Sequence, residues 1–168
     1  TTYPKGTGFA ADARAVPELP ENLPTAEVEA FSIDDSSTTE IDDAASVTHL
    51  EGGKTRIGVH IAAPALLMER GCACDEAARV RMTTVYAPGM KTTMLPEEWI
   101  ARASLDEGRT VPCLSLYITV EDATMAVLST ETRVEKIAVK HNLRYDLIND
   151  RVTTEAVENE TLDVPCAH

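Results

Sequence analysis

Five acidic side chains fall within ten residues: Asp34, Asp35, Glu40, Asp42 and Asp43. The segments on either side constrain where that charge can sit. Val28–Ile33, VEAFSI, reads as an incoming strand, and Ala44–Leu50, AASVTHL, reads as an outgoing one. Glu51-Gly52-Gly53-Lys54 is a turn signal before Thr55–Ala62, TRIGVHIA, so the outgoing strand and its successor form a β-hairpin. The acidic loop therefore feeds directly into a hairpin, a rigid base for a site. Crowded carboxylates repel, and a turn that only faces water gains nothing from such density. Hard divalent cations take oxygen ligands and offset the repulsion. On local composition alone, a solvated acidic turn or a structural calcium loop accounts for the segment as well. The EF-hand pattern fails for want of its central glycine and its terminal glutamate at the right offset.

The rest of the chain reads as strands and helices mixed. Residues 1–27 are proline-rich without sustained periodicity, an extended lead-in or linker. After Pro64, ALLMERG is a short helix closed by Gly71. Asp75 is placed to cap a second helix, EAARVRMTTVY, with Ala77, Val80 and Thr84 on one face and Arg79 and Arg81 pointing elsewhere. Ala87-Pro88-Gly89 breaks it, and Pro96 starts a third helix, EEWIARASL, with acids where the helix dipole favours them. Thr110–Glu121 alternates as a half-buried strand, and Asp122-Ala123 turns the chain into a partner, Met125–Leu128. An edge-like segment, Arg133–His141, follows with Lys136, Lys140 and His141. Asp146–Asp150 and Thr153–Glu160 have helical composition, whereas residues 161–168 carry no signal. Hairpins rather than regular βαβ repeats give an α+β class, with a mixed, largely antiparallel sheet and packed helices. The expected organisation is a lead-in over 1–27, one domain over 28–150 and a C-terminal segment over 151–168.

A net charge of −13 argues against a protein that coats nucleic acid with an overall basic surface. The distribution is uneven: residues 1–50 hold ten acids and two bases, residues 51–150 fourteen and twelve. The middle of the chain can therefore offer a local basic lining. No apolar run reaches the roughly eighteen residues of a membrane span, and the expectation is a soluble, cytoplasmic protein with no membrane partner. Cysteines at 72, 74, 113 and 166 make neither a disulfide framework nor a zinc set, and read as reduced, partly buried thiols. No GxGxxG or P-loop is present.

The series IDDSSTTEIDDA, VHIAAP, TTVYAPG, MLPEEW and ASL resembles, in that order, the catalytic domain of the ribonuclease II/ribonuclease R family of exoribonucleases. It covers roughly Phe31 to Asn149, about the first half of that family's catalytic domain. The resemblance implies a ribonuclease II-type fold and a magnesium-dependent, hydrolytic, processive 3′-to-5′ exoribonuclease that releases nucleoside 5′-monophosphates from single-stranded RNA, with manganese as a substitute ion. It places the family's four acidic positions on Asp34, Glu40, Asp42 and Asp43, as catalytic and metal-binding residues. Asp34 and Asp43 are then direct ligands, Asp42 stands closest to the attacking water, and Glu40 supports. Tyr86, in VYAPG, matches a family tyrosine near the RNA 3′ end, placed to stack on a base; the alternative is a helix-end tyrosine packing in the core. The chemistry suits the residues, since two metals roughly four ångström apart stabilise both the attacking and the leaving oxygen in phosphodiester hydrolysis.

Two departures stand out: the family usually has aspartate where this chain has Glu40, and many relatives read HIAD where this chain reads HIAA, ending in Ala63. They support an alternative, a catalytically degenerate member that binds RNA or protein. His60, a lone histidine on an alternating strand, reads as structural. The family's later elements, including a transition-state arginine, have no counterpart here, so the expected partner besides RNA is the remainder of the catalytic domain.

Overall fold

The computed structural model describes residues 8–18, 22–161 and 164. The chain divides into two compact units, one built from residues before Leu23 together with Ala63–Ala103, the other from Leu23–Ala62 and Ser104 onward.

The second unit is a closed five-stranded barrel in the order β1-β2-β3-β6-β7. Its strands are β1 (Thr25–Asp34), β2 (Asp43–Leu50), β3 (Lys54–Ala62), β6 (Thr110–Glu121) and β7 (Val127–Arg144). The β2–β3 hairpin runs in unbroken antiparallel register from Asp43↔Ile61 to Leu50↔Lys54, with Gly52 and Gly53 at positive φ in the turn. Both turn residues sit where glycine alone carries no steric penalty. The β6–β7 pair is also antiparallel, from Thr110↔Ala138 to Val120↔Val127. Arg133–His141 is no edge: β7 is long enough to pair with β6 through one half and, in parallel, with β1 through the other, Phe31↔His141 to Asp34↔Arg144. That parallel pairing closes the barrel and removes the free edges of the sheet.

Alternation along the strands sets two faces. Inside, Ala30, Ala44, Val111, Cys113, Ile137 and Val139 form an apolar cluster with Ile41 and Leu105. Several further inward positions are polar. His60, fully buried, is hydrogen-bonded through Nε2 to Ser46 Oγ at 2.9 Å and through Nδ1 to Ser115 Oγ at 2.8 Å. The Tyr117 hydroxyl donates to buried Glu135 Oε1 at 2.6 Å, and the Tyr117 ring meets the His60 ring edge-on at 5.7 Å between centroids. Every nitrogen of the buried imidazole is thus satisfied, which is what burial of a polar ring requires. Burial holds the His60 pKa below its usual 6.5, against an opposing pull from the Glu135 carboxylate. His60 is a structural residue, as the sequence suggests. Outside the barrel, α3 (Tyr145–Ile148) and α4 (Thr154–Glu158) are short, and the Thr153 hydroxyl caps α4 by accepting from Ala156 N–H at 3.1 Å.

The first unit holds α1 (Ala73–Arg81), α2 (Glu97–Ala103) and a small antiparallel hairpin of β4 (Val85–Ala87) and β5 (Met90–Thr92). Several local expectations change here. ALLMERG makes only a 3-10 turn, Pro64–Leu66. The cap of α1 is Cys72, whose Sγ accepts from Asp75 N–H at 3.4 Å, while Asp75 lies inside the first turn and accepts from Gly71 N–H and Arg79. The helix stops at Met82, at φ 64°, and Val85 and Tyr86 of the expected extension enter β4 instead. The apolar face read from the sequence is not the buried one: Val80 is 59% exposed, whereas Arg81 is buried at 7%. Arg81 stacks on Phe9, 3.6 Å from the ring centroid, and donates to the carbonyls of Gly8 and Thr93, each at 2.8 Å. Those partners lie far away in sequence, so local periodicity does not reveal them. Part of the stretch read as an extended lead-in joins this unit, with one 3-10 turn at Asp12–Arg14, buried Ala13, and Trp99 Nε1 donating to Ala13 O at 2.9 Å. Residues 1–7 and 19–21, and Cys166 with most of 161–168, lie outside the described residues.

Candidate active site

Strands β1 and β2 pair at Phe31↔Ala45, so Asp34, three residues past that pair, and Asp43, two residues before it, leave the barrel wall at the same end. The connection between them, residues 35–42, is anchored at two points. At its start, Asp35 Oδ1 accepts from Ser37 N–H at 2.8 Å and from Ser37 Oγ at 2.6 Å, and Asp35 O accepts from Thr38 N–H at 2.9 Å. This is an Asx-type turn, formed because a short carboxylate can reach its own backbone two residues on. It also holds the Asp35 carboxyl below the usual carboxylate range, the Ser37 hydroxyl being the main cause. Arg144 Nη1 donates to Asp35 O at 2.9 Å, and the Ser36 hydroxyl bonds to Asp146. Near the far end, Ile41 is buried to 2%, donates its N–H to Ser104 Oγ at 3.1 Å and accepts from Leu105 N–H at 3.0 Å. Asp42 O then accepts from Ala62 N–H at 2.8 Å, leading the chain into β2.

The four predicted carboxylates therefore share one end of the barrel. Asp34 has the parity of inward-facing Ala30 and Ser32, and its Oδ2 accepts from Ser32 Oγ at 2.5 Å. Asp43 has the opposite parity: it precedes inward-facing Ala44 and sits beside outward-facing Ile61. Glu40 and Asp42 flank the buried Ile41, and Asp42 is exposed. As donors they suit a hard cation, being oxygen ligands. Among the described residues, however, no three His, Cys, Asp or Glu side chains are arranged so as to hold a metal ion. The donor chemistry fits magnesium, and the arrangement does not assemble a complete coordination set.

Tyr86 belongs to the other unit. It lies in the middle of β4, 71% exposed, opposite Lys91 of β5, whose Nζ stands 5.6 Å from the ring centroid. A tyrosine packed into the core at a helix end is excluded. An exposed ring beside an ammonium group can stack a base and meet a phosphate. Sequence reasoning missed Arg144 and Asp146, which steady the acidic loop from residues that follow it by about 110 positions. The charge pattern alone carries no signal for that pairing. Ala63, the second departure, opens the 3-10 turn by accepting from Leu66 N–H at 3.0 Å, and it offers no carboxylate.

The family model described as the RNB domain matches residues 24–164. The chain belongs to the RNB family. Exoribonuclease 2 of Cronobacter sakazakii is similar to it, 33% identical over 145 residues, which is 84% of this chain and 22% of that protein. Among solved structures, yeast Ssd1, described as a pseudonuclease, superposes with a TM-score of 0.73 at 22% identity, over 83% of this chain and 18% of that one. Mycoplasma genitalium RNase R, in a complex with ribose-methylated single-stranded RNA, superposes with a TM-score of 0.71 at 18% identity, covering 95% of this chain and 23% of that one. These likenesses show the ribonuclease II/R-type fold. This RNB chain spans only 14% of one curated relative, a Synechocystis ribonuclease, and 22% of the exoribonuclease. No helix among the described residues is long and apolar enough to cross a membrane.

Proposed function

We propose that this RNB chain is the acidic-loop portion of a cytoplasmic, magnesium-dependent, hydrolytic 3′-to-5′ exoribonuclease acting on single-stranded RNA and releasing nucleoside 5′-monophosphates. The observation that carries the reading is the delivery of Asp34, Glu40, Asp42 and Asp43 to one end of the barrel, on a loop pinned by Ile41. Magnesium, or manganese in its place, would be held by these four carboxylates, and bound cations would supply charge stabilisation to the attacking and leaving oxygens. The protein's own contribution is to fix the loop ends: Ser32 orients Asp34, and the Ala62–Asp42 backbone bond sets the entry into β2. Tyr86 is assigned to RNA binding, stacking on a base at about 1–3 kcal/mol.

The test places this chain in the position of its counterpart in Cronobacter sakazakii exoribonuclease 2 and follows magnesium-dependent mononucleotide release from single-stranded RNA. Asp42→Asn is expected to lower the rate by more than the roughly 10–100-fold that loss of an outer-shell partner costs a metal site. An unchanged rate refutes the assignment.

A second reading, a degenerate RNB module that binds RNA or protein without cleaving, is favoured by Glu40 in place of the family's aspartate and by Ala63, which offers no carboxylate. Glu40→Asp in the same graft separates the two. If neither version degrades the RNA with magnesium or manganese, the binding module is the correct reading.

A further inference from the structure

The two ends of the acidic loop are tied to a single carboxamide. Ser32 and Asn142 stand opposite each other in the parallel β1–β7 ladder, 110 positions apart in the chain. The ladder reaches that pairing through an irregularity: Ala30 is opposite Val139 and Phe31 is opposite His141, so Lys140 is the extra residue of a bulge. Ala30 and Val139 both lie in the barrel's apolar cluster. Without the extra residue, inward-facing Ser32 would stand opposite His141, and Asn142 would turn outward with Ile33. The bulge re-aims Asn142 toward the interior, a recurrent use of such irregularities.

Once there, the side chain has one possible orientation. The Glu107 N–H, which can only donate, meets Asn142 Oδ1 at 2.7 Å, and the Leu105 carbonyl, which can only accept, meets Nδ2 at 3.0 Å. A flip of the carboxamide would break both bonds. The Asn142 backbone N–H adds a further bond to Glu107 Oε2 at 2.9 Å. Nδ2 also donates to Ser32 Oγ at 2.9 Å. A hydroxyl has one proton to give. With Asn142 on its acceptor side, Ser32 Oγ gives that proton to Asp34 Oδ2 at 2.5 Å. Ser32 is buried, so water does not compete for it. Among the described residues, Ser32 is the one hydrogen-bond partner of the Asp34 carboxylate. The same carboxamide reaches the other end of the loop. Leu105, whose carbonyl it holds, donates its N–H at 3.0 Å to the carbonyl of Ile41, the residue between Glu40 and Asp42.

We infer that Asn142 is the positioning residue of the acidic loop: its carboxamide directs the Ser32 hydroxyl, which orients the Asp34 carboxylate, and its hold on Leu105 sets Ile41 at the other end. The effect on Asp34 is independent of the catalytic reading, whereas its consequence for metal binding rests on that reading. An oriented carboxylate presents the same oxygen to a cation in every molecule, and loss of such a partner costs roughly 10–100-fold in metal affinity. An asparagine that only braced the barrel would leave the Asp34 conformer alone.

That difference is what the experiment reads. Three-bond NMR couplings of Asp34 in the metal-free 168-residue chain report its χ1, which is expected to be a single rotamer. Asn142→Ala and Ser32→Ala are each expected to give rotamer averaging at Asp34, and Ser32→Thr, which keeps the hydroxyl, to retain the single rotamer. Should Asn142→Ala fail to fold, Asn142→Asp carries the same test. It keeps the size and the acceptor for Glu107 N–H but removes both donors, so the Ser32 proton is no longer committed to Asp34. A single rotamer retained in the folded Asn142 variant, or averaging already present in the unsubstituted chain, overturns the inference. In the exoribonuclease graft described above, Asn142→Ala and Ser32→Ala are each expected to weaken manganese binding by roughly 10–100-fold, measured by isothermal titration calorimetry without RNA. The double variant should lose no more than Asn142→Ala alone, because the two residues act in series. Additive losses overturn the inference. A graft that binds no manganese removes the metal reading of the site, and the Asp34 couplings still decide the role of Asn142.

Discussion

Gly58→Ala tests the interior of the barrel most directly. Gly58 lies on β3 opposite Ser46 and Tyr117, and a Cβ built there would stand 2.4 Å from Ser46 Oγ, 2.7 Å from His60 Nε2 and 2.9 Å from His60 Cε1. Ordinary van der Waals contact begins near 3.4 Å, so something must move. The imidazole is tethered at its other nitrogen by Ser115, and Ser46 can escape only by turning its hydroxyl away from His60. Overpacking of this kind costs about 1–3 kcal/mol, and leaving a buried nitrogen unsatisfied adds roughly 1–3 kcal/mol. Because one movement can relieve part of the other, the expected loss is about 2–4 kcal/mol. Urea unfolding followed by circular dichroism measures it. In the double variant Gly58→Ala, Ser46→Ala the two losses should fall short of additivity by roughly 0.5–3 kcal/mol, because the first clash then has no partner. A single-variant loss below about 0.5 kcal/mol, the range of surface substitutions, or strict additivity of the two, would refute the reasoning.

Further expectations follow from other parts of the molecule. His60 has a folded pKa below its unfolded value, so its neutral form contributes stability fully present above pH 6.5 and lost as pH falls toward the folded pKa. Urea midpoints should drop between pH 7.5 and 5.5, and His60→Gln, which keeps a donor and an acceptor, should flatten that slope. Ile41→Ala empties the anchor of the acidic loop and should cost about 2–5 kcal/mol in urea unfolding, with faster amide exchange at residues 39–43. Trp99→Phe leaves the Ala13 carbonyl without its 2.9 Å donor, a loss of roughly 1–3 kcal/mol, detectable as faster proteolysis within residues 8–18.

The elements that hairpin logic could reach were legible in the sequence. The Gly52-Gly53 turn fixed the β2–β3 register, and the run Thr110–Glu121 marks β6 to the residue. What the alternation of TRIGVHIA does not disclose is which face is inside: Gly58 and His60 point inward, and Ile57, Val59 and Ile61 point out. Two alternating faces have the same period whichever is buried, and hydrophobicity here gives the wrong answer. Closure of the barrel was equally hidden, because the β1–β7 pairing joins residues about 110 positions apart, and no local pattern encodes a parallel partner at that distance. The acidic loop was legible as charge density and as a family motif. Its folding was not, since Ile41 is held by Ser104 and Leu105, and Arg144 and Asp146 reach it from the end of β7 and the residues just past it, about 110 positions later in the chain.

The β1–β7 pairing also sets a timetable. A ribosome adds roughly 5–20 residues each second, so β1 emerges roughly 5–20 s before the partner strand that seals its second side. Throughout that interval the nascent chain exposes an unpaired backbone edge next to an apolar outer wall, a combination that invites strand addition from neighbouring chains. Slow elongation between Asp34 and Arg144 therefore works against this protein, and a holdase that shields the first hairpin during synthesis should raise its yield more than one added after release.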